Sequence, residues 1–456
     1  MGNLMTSLLN SANAMQVYEG ALQVTENNIT NANTPGYARQ IANLQARPFD
    51  LATGDSGGVA LGPTQTSRNQ FAEQAVRDQQ TDQNFYQQKV SDISPLENYF
   101  STSNASGIGP DMSNLFSAFS QLSVNPNDAV SRQAVLNQAT TVAQDFNRAA
   151  NGVLTEQSNV DAATRGAIST INQLADTIAQ LNQQNSVSNL GGTNAGVDSQ
   201  MNSTLEQLSQ LVNFTVLHQT DGTVSVYVGG QTPLVVTDHA YKLQGDFSAP
   251  QTAILSSTGA DITGQLTGGQ LGALLDDKNN VLPSYLSGLN SLAQTFADKV
   301  NTTLENGIDE NGAAPVTDLF SYDPTTGAAQ TLAVNPLTPS QIAAAVPGSP
   351  GGNENALNLA ALAHYKDASG YTFAQLYGNL GAQIGIDLST AQNSQTTTEA
   401  LLNQAQSMRQ QISGVSLDEE AQSLLEFQRS YQALAETVSI INGLTATLMN
   451  ILTPTS

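Results

Sequence analysis

The sequence predicts a mainly α chain with an inserted β domain, drawn out as an elongated, nested multidomain protein, and three observations carry that expectation. Apolar residues recur at alternating three- and four-residue spacings at both ends of the chain. A helical period persists across residues 126–185, and between residues 213 and 269 it gives way to strand-like alternation punctuated by glycine.

The N-terminal seam comprises Leu4, Leu8, Ser11, Met15, Tyr18, Leu22, Thr25 and Ile29, a narrow apolar line on one long helix. An Asn-rich stretch and Thr34-Pro35-Gly36-Tyr37 follow, where Pro presets the first turn dihedral and Gly accepts the positive φ of a type II turn. Asn28, Asn31, Pro35, Gly36 and Tyr37 are therefore expected to shape the exit from the helix. The C-terminal seam, Leu424, Phe427, Tyr431, Leu434, Val438, Ile441, Thr445, Leu448 and Leu452, has the same spacing, and Pro454 ends it. Two such helices can pair as an antiparallel coiled coil, pack on neighbouring subunits or belong to an ordinary core, and periodicity does not name the partner.

Between the ends, a short helix carries Leu115, Phe116, Phe119 and Leu122, and residues 126–185 follow as a helix of about 90 Å, with Gly152 and Gly166 as expected breaks. Thr223 to Val228, the pair Gly229-Gly230 and Leu234-Val235-Val236 predict a hairpin. Helical period returns over Leu271 to Leu304 and Phe373 to Ile412, while Gly307 to Asn355 shows no clear pattern. The expected organisation is a terminal coiled-coil domain of residues 1–40 with 415–456, a helical bundle of 41–195 with 266–414, and a β-rich outer domain of 196–265.

Composition narrows the function. Only 11% of residues are charged, against roughly 25% in an ordinary soluble domain. With 14 Lys and Arg against 38 Asp and Glu, the net charge of -24 disfavours nucleic acid and anionic membranes. There is no cysteine, hence no disulfide or thiolate chemistry, and no apolar run of bilayer-spanning length. Met1 to Thr34 holds no Lys or Arg, so a general secretory signal is not expected.

No catalytic constellation emerges, and no cofactor or metal is expected. His218, His239 and His364 lack metal-ligand spacing. Asp276-Asp277 and Asp418-Glu419-Glu420 are adjacent carboxylates, whose side chains are expected on different helix faces as caps or dipole partners. Asp309-Glu310-Asn311-Gly312 has the start of a calcium loop without its upstream ligands. An enzyme or carbohydrate-binding module would need Tyr227, His218, His239 and Tyr241 to converge in the β domain.

The stretch Asn27-Asn28-Ile29-Thr30-Asn31-Ala32-Asn33-Thr34-Pro35-Gly36-Tyr37-Ala38-Arg39-Gln40 resembles the signature shared by flagellar rod, hook and hook-associated proteins. Ser413 to Glu420, with Leu425 to Ala433, is similar to the C-terminal signature of the same families. Leu205 to Val216, Asp221 to Tyr227 and Gly268 to Asp276 resemble the hook-associated protein 1 family, the FlgK type, in particular. That resemblance implies a structural, non-enzymatic hook-filament junction subunit, exported by the flagellar type III system and located extracellularly in the bacterial flagellum. It implies a homo-oligomeric axial ring or stack, contacts with the hook protein and a second hook-filament junction protein, and an export chaperone on the C-terminal segment. Leu4, Leu8, Met15, Leu22 and Ile29, with Leu424, Phe427, Tyr431, Leu434, Val438, Ile441 and Leu448, are then the expected inner subunit contacts. Another axial protein (hook, rod or flagellin-like) or a secreted carbohydrate-active or carbohydrate-binding protein is the alternative.

Overall fold

The computed structural model describes residues 2–50, 55–100, 107–188, 195–219 and 222–452, so Asp221 and Pro454, invoked above, lie outside the described residues. Helix α1 (Gly2–Thr30) opens the chain, and strands β1 (Gln40–Ile41), β2 (Leu44–Asp50), β3 (Asp55–Leu61) and β4 (Gln65–Thr66) follow it. Next come helices α2 (Gln70–Glu97), α3 (Ile108–Val124), α4 (Ala129–Ser188) and α5 (Ala195–Leu211). A four-stranded antiparallel sheet is built in sequence order from β5 (Phe214–His218), β6 (Val224–Val228), β7 (Thr232–Val236) and β8 (His239–Ala240), and β9 (Gln244–Asp246) pairs with β10 (Ala253–Leu255). Helix α6 (Gly269–Asp276), a π-helical turn (Asp277–Val281) and α7 (Leu282–Glu305) return the chain to the bundle. After β11 (Phe320–Ser321), α8 (Ala328–Thr331), β12 (Ala333–Val334) and α9 (Glu354–Ala361), the long helices α10 (Phe373–Ser413) and α11 (Leu417–Leu452) complete the described chain.

The expected breaks in the longest helix do not occur: α4 is continuous through Gly152 and Gly166. Its apolar stripe is buried on both sides of each glycine, and this packing outweighs the roughly 1 kcal/mol helix penalty of one glycine. Gly152 also has a packing role, since a Cβ there would sit 2.8 Å from the Tyr99 ring.

Helix α2 lies antiparallel to α10, because Arg409, near the end of α10, pairs with Glu73 at the start of α2, and Tyr377, near the start of α10, reaches the Tyr99 carbonyl beyond the end of α2. Phe296 on α7 is the aromatic centre of the bundle, with ring centroids of Phe116, Phe146, Phe320 and Phe373 at 5.8, 6.2, 5.5 and 5.5 Å. The patternless stretch from Gly307 to Asn355 closes this end of the bundle through a Phe320–Val334 strand pair and an Ile308–Ala345 bridge. Short, irregular pieces of this kind carry no period to read.

Two features depart from the sequence expectation. Strands β1 to β4, which apart from Gln40 lie in the stretch grouped with the bundle, form two antiparallel pairs, and the β2–β3 hairpin packs on α1. Helix α5, at the start of the stretch expected to be β-rich, packs on α2 and α4, and its Val197, Met201, Leu205 and Leu208 are buried. Strands begin only at Phe214.

The sheet shares one hydrophobic core with α4. Two asparagines of α4 clamp it with reciprocal backbone bonds. Asn182 donates to the Val224 carbonyl at 2.8 Å and accepts from the Val224 N–H at 2.9 Å, and Asn172 does the same with Leu243 at 2.9 and 2.8 Å. Replacing Phe296 by Ala is expected to cost about 3–5 kcal/mol in urea-induced unfolding, since a fully buried ring is removed from among four others. Replacing exposed Phe71 by Ala should change stability by less than about 0.5 kcal/mol.

Candidate assembly interface at the paired chain ends

Helices α1 and α11 pack on each other, and their contacts fix an antiparallel orientation: Asn28 meets Glu420, and the Tyr18 and Phe427 rings lie 6.2 Å apart. The side chains most enclosed on α1 are Ser11, Ala14, Val17, Ala21, Thr25 and Asn28. Leu4, Leu8, Met15 and Leu22 are half-buried, and Ile29 is exposed. The most enclosed line is thus displaced from the larger apolar residues, because α1 is covered by α11, by the β2–β3 hairpin and by β1. A Cβ on Gly20 would sit 2.7 Å from Leu61 Cδ2, so the hairpin approaches α1 closely.

On α11, Leu424, Phe427, Tyr431, Leu434 and Val438 are half-buried, Ile441 is buried and Leu448 is exposed. Beside this line runs a second apolar one, Ile440, Leu444, Leu448 and Ile451, which spans about a quarter of the helix circumference. Ile440 is 58% exposed, Leu444 52% and Ile451 75%. Met5 and Leu9 on α1 and Met408 and Ile412 near the end of α10 are similarly open.

Where the two ends meet, the turn motif and the start of α11 form one hydrogen-bonded junction. The buried amide of Asn28 donates to the Gln40 carbonyl at 2.8 Å and to Glu420 Oε2 at 2.9 Å, and accepts from the Gln40 N–H and the Tyr37 hydroxyl at 2.8 Å each. Both donors and both lone pairs of the amide are used. Arg39 Nε meets the buried Glu420 at 2.6 Å, Arg39 Nη1 meets Glu419 at 2.9 Å, and the Arg39 N–H donates to the Ser413 carbonyl at 3.0 Å. Burial and the negative charge of Glu420 raise the Tyr37 hydroxyl above its ordinary pKa, so it remains a donor.

The turn itself closes with Tyr37 N–H to Thr34 C=O at 3.1 Å and φ of 73° at Gly36, where a Cβ would sit 2.6 Å from the Ser199 carbonyl of α5. Asn31 staples it locally, donating to the Asn27 carbonyl at 3.0 Å and accepting from Thr34 Oγ1 at 3.1 Å, while Pro35 stays exposed. Arg68 then ties the turn to the bundle through the Gly36 carbonyl (2.6 Å), Asp198 (2.9 Å) and Glu73 (2.6 Å). Arg409 meets Glu73 and Glu206 at 3.2 and 3.0 Å.

The carboxylates expected to point apart are gripped in pairs: Arg39 holds Glu419 and Glu420, and Lys89 holds Asp276 and Asp277. A long cationic side chain spans neighbouring helical positions, and at Asp277 a π-helical turn alters their spacing. The sequence does not single out Arg68 or Glu73, and it shows Arg39 and Glu420 only as parts of motifs. The available signal was charge scarcity: in a chain with 14 Lys and Arg, a cation beside an apolar helix has few reasons to be there.

The enzymatic alternative finds no converging site. His218 lies on the β5 edge of the sheet and His239 on the β8 edge; only His239 and Tyr241 touch, with ring centroids 5.1 Å apart. Asp309 Oδ1 accepts the N–H groups of Asn311 and Ala313 at 2.8 Å each, so it organises its own turn. Among the described residues no acid and histidine cluster could hold a metal, and no helix is long and apolar enough to cross a membrane.

Long helices, joined ends and open apolar lines fit a structural protein. The profile of the family described as "Flagellar hook-associated protein FlgK helical domain" matches residues 93–320, half of the chain. The chain belongs to this family and is a hook-associated structural protein of the bacterial flagellum, an axial component with hook and filament as partners. Among curated relatives, the flagellar hook-associated protein 1 of Bacillus subtilis is 27% identical over 96% of both chains, and that of Escherichia coli is 24% identical over 98% of this chain and all of its own. A solved structure, described as the flagellar hook junction protein FlgK from Burkholderia pseudomallei, shares the fold with a TM-score of 0.67 at 18% identity, covering 75% of this chain and all of that one.

Glu420→Ala should leave the buried Asn28 donor unmatched and Arg39 without its main partner, costing about 1–3 kcal/mol. Hydrogen exchange at the Gln40 amide, which bonds to Asn28, should accelerate accordingly, whereas Asp418→Ala, on an exposed side chain, should leave it unchanged.

Proposed function

We propose that the chain is a hook-filament junction subunit that assembles through its paired ends into a homo-oligomeric axial ring or stack. In this reading it lies between the hook protein and a second junction protein, outside the cell. Residues 1–40 with 415–456 act as the inner domain together with the β2–β3 hairpin on α1, α2 to α5 with residues 266–414 act as the bundle, and the strand segment from Phe214 to residue 265 acts as the outer layer. The observation that carries the proposal is the stripe Ile440, Leu444, Leu448 and Ile451, which stays open although α11 already packs on α1. A contiguous exposed apolar line on a long helix marks a surface that another copy buries. Leu4, Leu8, Met15, Leu22, Leu424, Phe427, Tyr431, Leu434, Val438 and Ile441 then serve two roles, half-covered or covered within the chain and sealed by neighbours on assembly. Ile29 and Leu448 contact neighbours directly.

Export by the flagellar type III system fits a chain without disulfides, and the same open face of α11 suits an export chaperone that shields it before assembly. Stability gained when neighbours bind only the folded ends links assembly to folding of those ends.

Leu444→Asp separates this reading from an ordinary core. The side chain is 52% exposed, so the monomer melting temperature should hardly change, in line with about 0.5 kcal/mol or less for surface substitutions. In an assembled stack the same carboxylate is buried without a partner at a cost of several kcal/mol per copy. Secreted, folded protein with no filament on the hook is the expected result. Normal filaments carrying the variant subunit would overturn the proposal. Leu434→Asp, half-buried against α1, should by contrast lower the monomer melting temperature as well.

A further inference from the structure

The bundle holds a cluster of buried carboxyls that the assembly surface does not use. Asp92 on α2 is 4% exposed, and Asp277, opening the π-helical turn after α6, is fully enclosed. The two are neighbours across the contact of α2 with α6, since Lys89, one turn before Asp92, bonds Asp277, and their carboxyl groups interact. One oxygen of each is otherwise satisfied: Asp92 Oδ1 accepts from Gln88 Nε2 at 2.6 Å, and Asp277 Oδ1 from Lys89 Nζ at 2.8 Å. Gln88 is in turn held by Gln270 of α6 at 3.0 Å. The two remaining oxygens, Asp92 Oδ2 and Asp277 Oδ2, are buried with no donor in reach.

Two neighbouring buried carboxylates, each with an oxygen that has no donor, repel, and such an arrangement persists only if one of them holds a proton. We infer that Asp92 and Asp277 share a single proton in the folded chain, and that this proton fastens the joint between α2 and the π-helical turn, which loosens when the proton is removed by alkali. The surrounding charges agree. Among the described residues, Lys89, which also pairs with Asp276, is the ammonium bound to Asp277. Burial alone would lower the Lys89 pKa, but Asp277 and Asp276 outweigh it and hold it above its ordinary value, so Lys89 stays charged.

The other titratable groups facing the site leave no second cation free for it. Glu156 on α4 is itself buried and pushed up by that burial; Lys278 is bound to Asp161 of α4 at 2.7 Å; and Tyr285 of α7 donates to Asp387 of α10 at 2.6 Å. Lys89, Asp276 and the fully ionised pair would carry two net negative charges, and one shared proton reduces that to one. Burial first, and the neighbouring Asp277 second, push Asp92 up to about 8.

The sign of the linkage follows. The folded chain holds a proton that the unfolded chain releases above the ordinary carboxylate range of about 4, so the stability contributed by this pair is full below about 4, declines as pH rises towards about 8, then levels. One proton makes the folding constant fall about tenfold per pH unit in that window. A second enclosed pair, Asp145 of α4 with Asp111 of α3, contributes below about 6, where burial and Asp111 place Asp145. The decisive range is therefore above pH 6.

Asp92→Asn supplies the test, because an amide donates to Asp277 at every pH while still accepting from Gln88. Wild-type chain should lose stability by about tenfold in the folding constant per unit between about pH 6 and about pH 8, and Asp92→Asn should be flat there. Asp145→Asn should keep the wild-type slope in this window. Difference infrared spectra of the unaltered chain offer a measure independent of any variant: a protonated-carboxyl band present near pH 7 and lost by about pH 9.5. Parallel stability curves for wild type and Asp92→Asn, or no such band in the wild type, would overturn the inference. If Asp92→Asn does not fold, Asp277→Asn is read in its place: it removes the Asp277 charge while burial of Asp92 remains, so the decline should end at a lower pH than in wild type, and an unchanged curve would overturn the inference.

Discussion

Asn28 is the point on which the ends of the chain depend. One buried amide, with all four hydrogen-bonding positions filled, joins the last turn of α1, the extended chain at Gln40 and the first turn of α11. The carboxylate it contacts, Glu420, is buried only because Arg39 and Asn28 divide its two oxygens between them. Taking any one of the three away leaves a buried polar group without a partner, and that cost is what fixes the register between helices almost four hundred residues apart in sequence. Apolar packing between α1 and α11 could slide by a turn; this junction cannot.

From that junction the fixed geometry spreads into the bundle through a short chain of charges. Arg68 carries it from the Gly36 carbonyl to Asp198 on α5 and Glu73 on α2, and Glu73 passes it to Arg409 near the end of α10. In a protein with so few cations, those near the paired ends are concentrated where helices from different parts of the sequence must be held at one angle. The same economy appears at Lys89, which brings together two acids of α6 and its π-helical turn, and at Arg132, whose buried guanidinium is satisfied by the carbonyls of Pro126, Pro339, Ser340 and Ile342. These contacts specify position, while stability comes from the continuous apolar core that runs from the Phe296 cluster along α4 into the sheet.

A subunit built in this way has a rigid interior and unfinished ends. The apolar sector of α11 is wider than α1 can cover, so part of it faces solvent in the single chain. That surplus is the surface on which the proposed assembly rests.

The sequence by itself determined the long helices, the strand segment after Phe214, the turn at Thr34-Pro35-Gly36-Tyr37 and the family, because each rests on local signals: a repeat, an alternation, a proline and glycine at fixed offsets, a contiguous motif. It did not reveal the hairpin of residues 44–61, whose Leu44, Ala46, Val59 and Leu61 give only a weak alternation, nor the continuity of α4 through two glycines, which packing decides. Only the tertiary structure decided that α5 belongs against α2 and α4, that Leu448 and Ile29 face outward while smaller residues of α1 are enclosed, and that Arg39 meets Glu420. The physical reason is common to these cases: a period says which residues share a face, but the face that is covered depends on partners brought from distant parts of the chain. Here α11 arrives on α1 from the far end of the sequence, while the hairpin folds back from just beyond the turn.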